Sequence, residues 1–420
     1  MVNVAERLES LVGTTLDMEL PVRIRAWDGS EAGPAGPVLV IRSRRALRRL
    51  VWAPGELGLA RAFVAGDLDV EGDLGQGLRE AWRRSDGNAR RPSVRKLAAG
   101  LQLAARLGAL GPPPRPPRTE AQLRGRRHTK RRDRAAIAHH YDLSNDFYRL
   151  LLDSHMAYSS AYFTDDQQTL HEAQTAKLDL ICRKLGLARG MRLLDVGCGW
   201  GSLILFAAQH YGVHATGITL STSQHKFVAA RVAERGLTGR VSVELQDYRE
   251  FDAAPESFDA VASVEMGEHV GEEHYDTYAT LLYQSLKPTG RLLLQQMSRQ
   301  ADAAPGGGAF IESYIAPDMH MRPVAQTLDH LQSVGFEARD VEAMREHYVR
   351  TVDCWIDTFD RRYEDFVALA GEETSRVWRL YLVGGRLAFE QGRMGVDQIL
   401  AVKPDAGGDA AMPWGRPWSM

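Results

Sequence analysis

Cysteine is scarce in this chain of 420 residues, with only three, Cys182, Cys198 and Cys354. They are widely spaced and form no C-x-x-C pattern, which excludes a disulfide framework, offers no zinc-ligand spacing and implies a reducing compartment. Net charge is nearly absent as well. With 52 Lys and Arg against 54 Asp and Glu, the formal charge is −2, so no global field draws the chain toward nucleic acid. Long apolar runs are missing: nothing approaches the roughly 20 apolar residues of a membrane-spanning helix. The opening Met-Val-Asn-Val-Ala-Glu-Arg lacks the basic start and apolar core of a signal peptide. A cytoplasmic protein, soluble or peripheral to a membrane, is expected. What is present, 44% hydrophobic and 25% charged residues, suffices for sizeable cores, and the length favours two domains.

A composition break places the boundary. Residues 111–134 begin proline-rich and end strongly basic, a pattern that builds no core, and read as a linker. Before it, 1–110 reads as a small α+β domain: 22–27 alternates like a strand, Asp28-Gly29 like a turn, and 38–41 like a returning strand. After it, 135–404 forms the larger domain. The Gly-, Ala- and Pro-rich stretch 405–420 reads as a loose tail.

Function centres on residues 191–201, Met-Arg-Leu-Leu-Asp-Val-Gly-Cys-Gly-Trp-Gly. An apolar strand runs into a turn where Gly197, Gly199 and Gly201 let the backbone bend and leave room for a ligand. A helix follows from Ser202, so its N-terminus completes a cradle for a nucleotide or cofactor. Apolar runs at 213–220, 241–245, 258–264, 291–294 and 398–402 then alternate with helix-length segments, including 221–235 and 275–286. Such alternation predicts an α/β fold, a doubly wound parallel sheet with helices on both faces. Ligands of such sheets lie beyond the carboxyl ends of the strands, which lines up Gly197, Thr219, Asp247, Glu268 and Gln295 on one rim.

The spacing fits a dinucleotide poorly, because G-x-G-x-x-G and a following acidic residue are both missing. Asp195, Gly197, Gly199 and Gly201 instead match the D-x-G-x-G-x-G pattern common in class I S-adenosylmethionine methyltransferases, with Asp247 after the third strand for the adenine. Longer stretches sharpen the match. Leu193 to Gly201, Gly217-Ile218-Thr219-Leu220-Ser221-Thr222-Ser223-Gln224 and Gln246-Asp247-Tyr248 resemble the cyclopropane-fatty-acid synthase family. So do His140-Tyr141-Asp142-Leu143-Ser144-Asn145, Met156-Ala157-Tyr158-Ser159-Ser160-Ala161-Tyr162-Phe163 and Glu265-Met266-Gly267-Glu268-His269-Val270-Gly271.

That resemblance implies a class I methyltransferase fold and transfer of a sulfonium methyl to a cis double bond of a phospholipid acyl chain. It implies Tyr158, Ser159, Asp195, Gly197, Cys198, Gly199, Gly201, Thr219, Leu220, Gln224, Asp247 and Tyr248 as cofactor-binding residues. An alkene is a feeble nucleophile, so it must be held against the methyl carbon in a dry slot. Tyr141, Tyr158, Tyr162, Phe163 and Tyr348 are candidates for its aromatic wall, where cation–π contacts contribute about 0.5 to 2 kcal/mol each; core packing is the alternative reading of each ring.

The family resembled here holds a bicarbonate with a Cys, a Glu, a His and a Tyr, and the matching residues are Ser160, Glu268, Gln295 and Tyr348. Two of the four have changed, Met297 replaces an Ile and Gly267 a Phe. Gln cannot take up a proton at neutral pH, although Ser and Gln still donate hydrogen bonds to an anion. Glu268 is expected to act as general base or to orient a bound anion through Tyr348, with Gln295, Ser160 and Tyr141 completing the site. His269 reads as a structural histidine, and no metal site is expected.

The stretch 292–298, Leu-Leu-Leu-Gln-Gln-Met-Ser, resembles an actinobacterial subgroup that makes 10-methylene fatty acids, precursors of 10-methylstearic (tuberculostearic) acid. A 10-methylene product is therefore expected, with a separate flavin- or nicotinamide-dependent reductase as partner. A cyclopropane-forming phospholipid synthase and a non-catalytic lipid-binding relative are the alternatives. The basic run 124–134 reads either as a solvated linker or as a dock for anionic headgroups at the inner face of the membrane, each Lys or Arg adding about 1 kcal/mol. Homo-oligomerisation stays open.

Overall fold

The computed structural model describes residues 3–16, 22–85, 94–121, 127–130, 132–133, 143–251 and 254–418. Two compact units divide the chain: one takes 1–121, 308–314 and 370–387, the other 122–307, 315–369 and 388–420.

The first unit carries a four-stranded sheet, β1 (Arg23–Arg25), β2 (Glu31–Ala32), β3 (Val38–Ile41) and β4 (Leu68–Glu71), in the order β2-β1-β3-β4. Helix α2 (Arg44–Trp52) starts on a Ser43 cap. Its Arg49 and Arg45 both pair with Asp67, which is almost fully buried. The proline-rich stretch is no free linker: the Arg115 carbonyl accepts from Arg49, that of Gly111 accepts from the Trp52 indole, and Glu120 pairs with Arg61. Prolines donate no N–H, but their neighbours' carbonyls still accept, and arginines of this unit use them. The unit also draws in two later segments. Arg376, from 370–387, donates to the carbonyls of Phe63 and Leu68, and Glu56 caps Ala309. The expected assignment of all of 135–404 to the larger domain is corrected to that extent.

The second unit is built on seven strands: β5 (Arg192–Val196), β6 (His214–Thr219), β7 (Val241–Leu245), β8 (Phe258–Val264), β9 (Leu286–Arg299), β10 (Glu337–Ala343) and β11 (Met394–Val402). Their order is β10-β11-β9-β8-β5-β6-β7. Strands β5 to β9 are parallel, as the buried apolar runs predict. Strand β11 runs antiparallel to β9, and β10 antiparallel to β11. The expected doubly wound parallel sheet is thus extended by two antiparallel strands at one edge, and β10, which alternates in burial, was not foreseen. Helices cover both faces. One core gathers Leu178 and Ile181 with Leu203, Ile204 and Val228; the other gathers Tyr275, Tyr278, Leu282 and Leu331.

The chain leaves β5 on one side for β6 and β7 and returns on its other side as β8. This makes a topological switch point at the carboxyl ends of β5 and β8, where crevices form in such sheets. The expected loose tail is corrected as well: Trp418 is buried against Leu180 and Leu400, and its carbonyl accepts from Arg183. Burying an indole outweighs the entropy of a few ordered residues. No helix of the described residues is long and apolar enough to cross a membrane.

Candidate active site

The glycine turn stands at the switch point. Gly197, Gly199 and Gly201 have φ of 85°, 52° and 80°, a region L-residues with side chains avoid. A Cβ on Gly197 would lie 2.7 Å from the Met266 side chain. Glycine there keeps open a cleft of about 690 Å³, its mouth included, lined by Gly197, Gly199, Thr219, Leu220, Gln224 and Tyr248 among others. A second cavity, of about 530 Å³, lies across the same turn against Tyr158, Ser159, Lys177, Asp195, Cys198 and Trp200. Both share Gly197, Gly199, Gln224 and Glu265.

The side chains around the turn are held from beneath. The Thr219 hydroxyl donates to Gln224 Oε1 at 2.8 Å, and Ser221 caps the helix Thr222–Glu234 on the Gln224 N–H. The Asp247 carboxylate is gripped by Arg249 at 2.9 and 2.7 Å, which offsets burial and holds its carboxyl below the usual range. Asp195 is different. Burial pushes its carboxyl up to about 7 against the pull of Lys177, and its Oδ1 finds no hydrogen-bond partner. Lys177 is also fully buried, its amine lowered to about 8 by burial, and it donates to the Ser159 hydroxyl at 2.9 Å.

Beyond the end of β8 lies a polar cage. Its centre is Glu265, which the sequence reading left without a role. The backbone N–H of Ser160 donates to Glu265 Oε1 at 2.9 Å, the Gln295 amide to the same oxygen at 2.8 Å, and the Tyr348 hydroxyl to Oε2 at 2.7 Å. Gln295 is oriented in turn, because Gln398 donates to its carbonyl at 2.9 Å and Lys184 to the Gln398 carbonyl at 2.9 Å. The NH₂ group of Gln295 therefore faces the carboxylate.

Three expected residues thus meet, but not as expected. Ser160 contributes its backbone; its hydroxyl donates to the Ala161 carbonyl. Tyr348 reaches Glu265 and not Glu268, which corrects the expected pairing. Glu268 sits in a short turn, fully buried, with Oε1 accepting from the Met297 N–H and Oε2 without a partner. Burial, and then the charge of Glu265, push the Glu268 carboxyl up to about 8. Burial also raises Glu265, opposed by its three donors.

Aromatic rings flank the cage. Tyr348 stacks on Phe389 at 4.4 Å and meets Trp355 edge-on, and Trp355 lies 5.3 Å from Tyr158. Trp355 was given no role, although it closes the stretch His347-Tyr348-x-x-Thr351-x-x-x-Trp355, two helical turns after Tyr348 on the same face of one helix. Tyr162 stacks on His347 and donates to Glu342, and Phe163 lies under Arg350, so these two rings are engaged elsewhere. Burial lowers His269 to about 4, which keeps it neutral, and it lines the cofactor cleft. Tyr141 and, of the basic run, Arg124, Gly125, Arg126, Arg131 and Arg134 lie outside the described residues; in the described part Arg127 and Arg132 pair with Asp318 and Lys130 with Glu250. Asp153, His155 and His171 bring ligand-type atoms within 4.8 Å of one another, beside the loop that carries Tyr158.

Comparisons with known proteins agree with this geometry. The family model for mycolic acid cyclopropane synthetase matches residues 128–399. A probable fatty acid methyltransferase of Pseudomonas putida is 37% identical over 95% of this chain and 96% of its own. One of Mycobacterium tuberculosis is 37% identical over 99% and 98%. Among solved structures, mycolic acid cyclopropane synthase CmaA1 complexed with SAH and CTAB shares 34% identity at a TM-score of 0.61, covering 64% of this chain and 98% of that one.

Proposed function

The chain belongs to the mycolic acid cyclopropane synthetase family, and from that premise we propose that it methylates the cis double bond of a phospholipid-bound oleoyl-type chain, leaving a 10-methylene branch. Its membership and its relatives make it an S-adenosylmethionine-dependent fatty acid methyltransferase. The cofactor fits: a Cβ on Gly197 would run into the Met266 side chain, and Asp195, whose Oδ1 has no hydrogen-bond partner, lines the cavity that adjoins the turn. Gly197, Gly199, Thr219, Gln224, Asp195 and Asp247 would hold it, and when bound it supplies an electrophilic methyl group.

One observation carries the reading, namely that Glu265, the buried carboxylate at the centre of the cage, lines the cofactor cleft, while Tyr348 on its Oε2 packs on Trp355 and Trp355 on Tyr158. Burial of the cage excludes water that would quench a carbocation. The aromatic faces stabilise positive charge on the alkylated chain. Gln295, pinned by Gln398, presents only donors, so it fixes the carboxylate without competing for the proton. A methylene product follows if a hydride moves to the neighbouring carbon before the methyl proton is lost. Such a product calls for a separate reductase to saturate it.

The test incubates the protein with S-adenosylmethionine and vesicles of dioleoyl phosphatidylglycerol, then takes the proton spectrum of the released acyl chains. Vinylidene resonances are expected. Cyclopropane ring protons overturn the product, and unaltered oleate overturns the function. Pelleting the same vesicles tests membrane docking: binding should fall at high salt, and salt-independent binding contradicts it.

A further inference from the structure

The family resemblance brings with it an external anion, and the cage does not fit one. Ser160, Gln295 and Tyr348 correspond to three of its four expected holders, and all three hydrogen-bond to Glu265. The fourth, Glu268, has one oxygen on the Met297 N–H. Where an anion should accept, a side chain of the protein already does.

We propose that Glu265 is the proton acceptor of the reaction, a carboxylate built into the chain in place of a bound anion. This rests on the reading of the protein as an alkene methyltransferase. Glu265 lines both the cofactor cleft and the cavity across the glycine turn, so it adjoins the place where a methyl group is delivered. Its backbone supports a specific purpose. Glu265 is held at φ 52°, a left-handed conformation that is unfavourable for a non-glycine residue and persists only where the surroundings dictate it. They do so here through the Glu265 N–H, which donates to the Gln295 carbonyl at 2.7 Å, and through the three donors on the carboxylate.

The competing candidate is Glu268, and the donor count separates the two. Three hydrogen bonds hold charge on Glu265, and two buried carboxylates in one site do not both ionise readily. Burial and that neighbouring charge leave Glu268 protonated near neutral pH. Glu265 is the available base.

The step balances. The alkene π pair forms the new carbon–carbon bond to the methyl group, whose former bonding pair stays on sulfur. A hydride then moves with its pair to the adjacent cationic carbon, so the charge passes to the methyl-bearing carbon. Glu265 takes a proton from the methyl group, and the released pair becomes the exocyclic double bond. The proton leaves through the cleft with the products.

Two variants test this. Glu265→Gln should lower kcat by about 10² to 10⁴-fold, the range for loss of a general base, with S-adenosylhomocysteine affinity by calorimetry unchanged. Glu265→Gly relaxes the backbone and opens a carboxylate-sized hole. It should be inactive alone, regain turnover with added bicarbonate or formate, and broaden the ¹³C signal of labelled bicarbonate, which the unaltered protein should not. The unaltered protein should keep its full rate in buffer stripped of bicarbonate. A rate that falls on stripping, or Glu265→Gln retaining normal turnover, overturns the proposal. If the unaltered protein alkylates no acyl chain at all, it is the functional reading that fails, so the two failures are distinguishable.

Discussion

Glu265 and Glu268 lie three residues apart in one buried site, and burial raises both carboxyls, yet three donors oppose that rise at Glu265 and a single backbone N–H at Glu268. Glu268 has one backbone donor and an orphaned oxygen. Its folded-state carboxyl, near 8, stands above the ordinary value, so the native state keeps a proton that the unfolded chain releases. The stability this contributes is fully present below the unfolded value and is lost as pH rises through 8. Asp195, near 7, acts in the same direction; His155 and His269, near 4, act in the opposite one as pH rises to their ordinary value and just past it, as does Lys177, near 8, toward the upper end, and the two carboxyls outweigh them. Between pH 6.5 and 8 the melting temperature should therefore fall, each such carboxyl removing at most about 1.4 kcal/mol per pH unit. Glu268→Gln should flatten that slope in thermal scans, and an unchanged slope would remove Glu268 as its source. At this scale Ser160, Gln295 and Tyr348 were legible as neighbours from motif matching. Glu265 was not, because a left-handed backbone and a carboxylate turned toward three donors leave no periodic trace in the chain.

Among the elements, the strand–turn–helix from β5 to Ser202 was the most legible, since a buried apolar run followed by three glycines has few other readings. Its importance is testable. Gly197→Ala puts a Cβ at φ 85° and 2.7 Å from Met266, and should weaken S-adenosylhomocysteine binding at least about tenfold, or 1.4 kcal/mol. Calorimetric affinity equal to the unaltered protein's would show that the turn does not shape the cofactor site. The strand at 398–402 was foreseen but not its direction. An apolar run reads the same parallel or antiparallel, and only its pairing with β9 decides. That pairing matters chemically, because it places Gln398 opposite Gln295 and so orients the cage amide.

Across the whole molecule, the tail and the domain limits were the least legible. Residues 405–420 look loose by composition, but Trp418 is only 4% exposed. Trp418→Ala should destabilise the protein by about 3 kcal/mol, read as a lower urea midpoint; an unmoved midpoint would restore the loose tail. The later segments that join the first unit do so through Arg376 and Glu56, contacts between residues hundreds of positions apart. By itself the sequence determined the α/β class, the glycine cradle and the family, because these depend on local periodicity and on short motifs whose chemistry is carried by adjacent residues. Tertiary structure alone decided which carboxylate gathers the donors and what fills the polar cage. Charge state and proton affinity are set by burial and by donors that arrive from three separate segments of the chain.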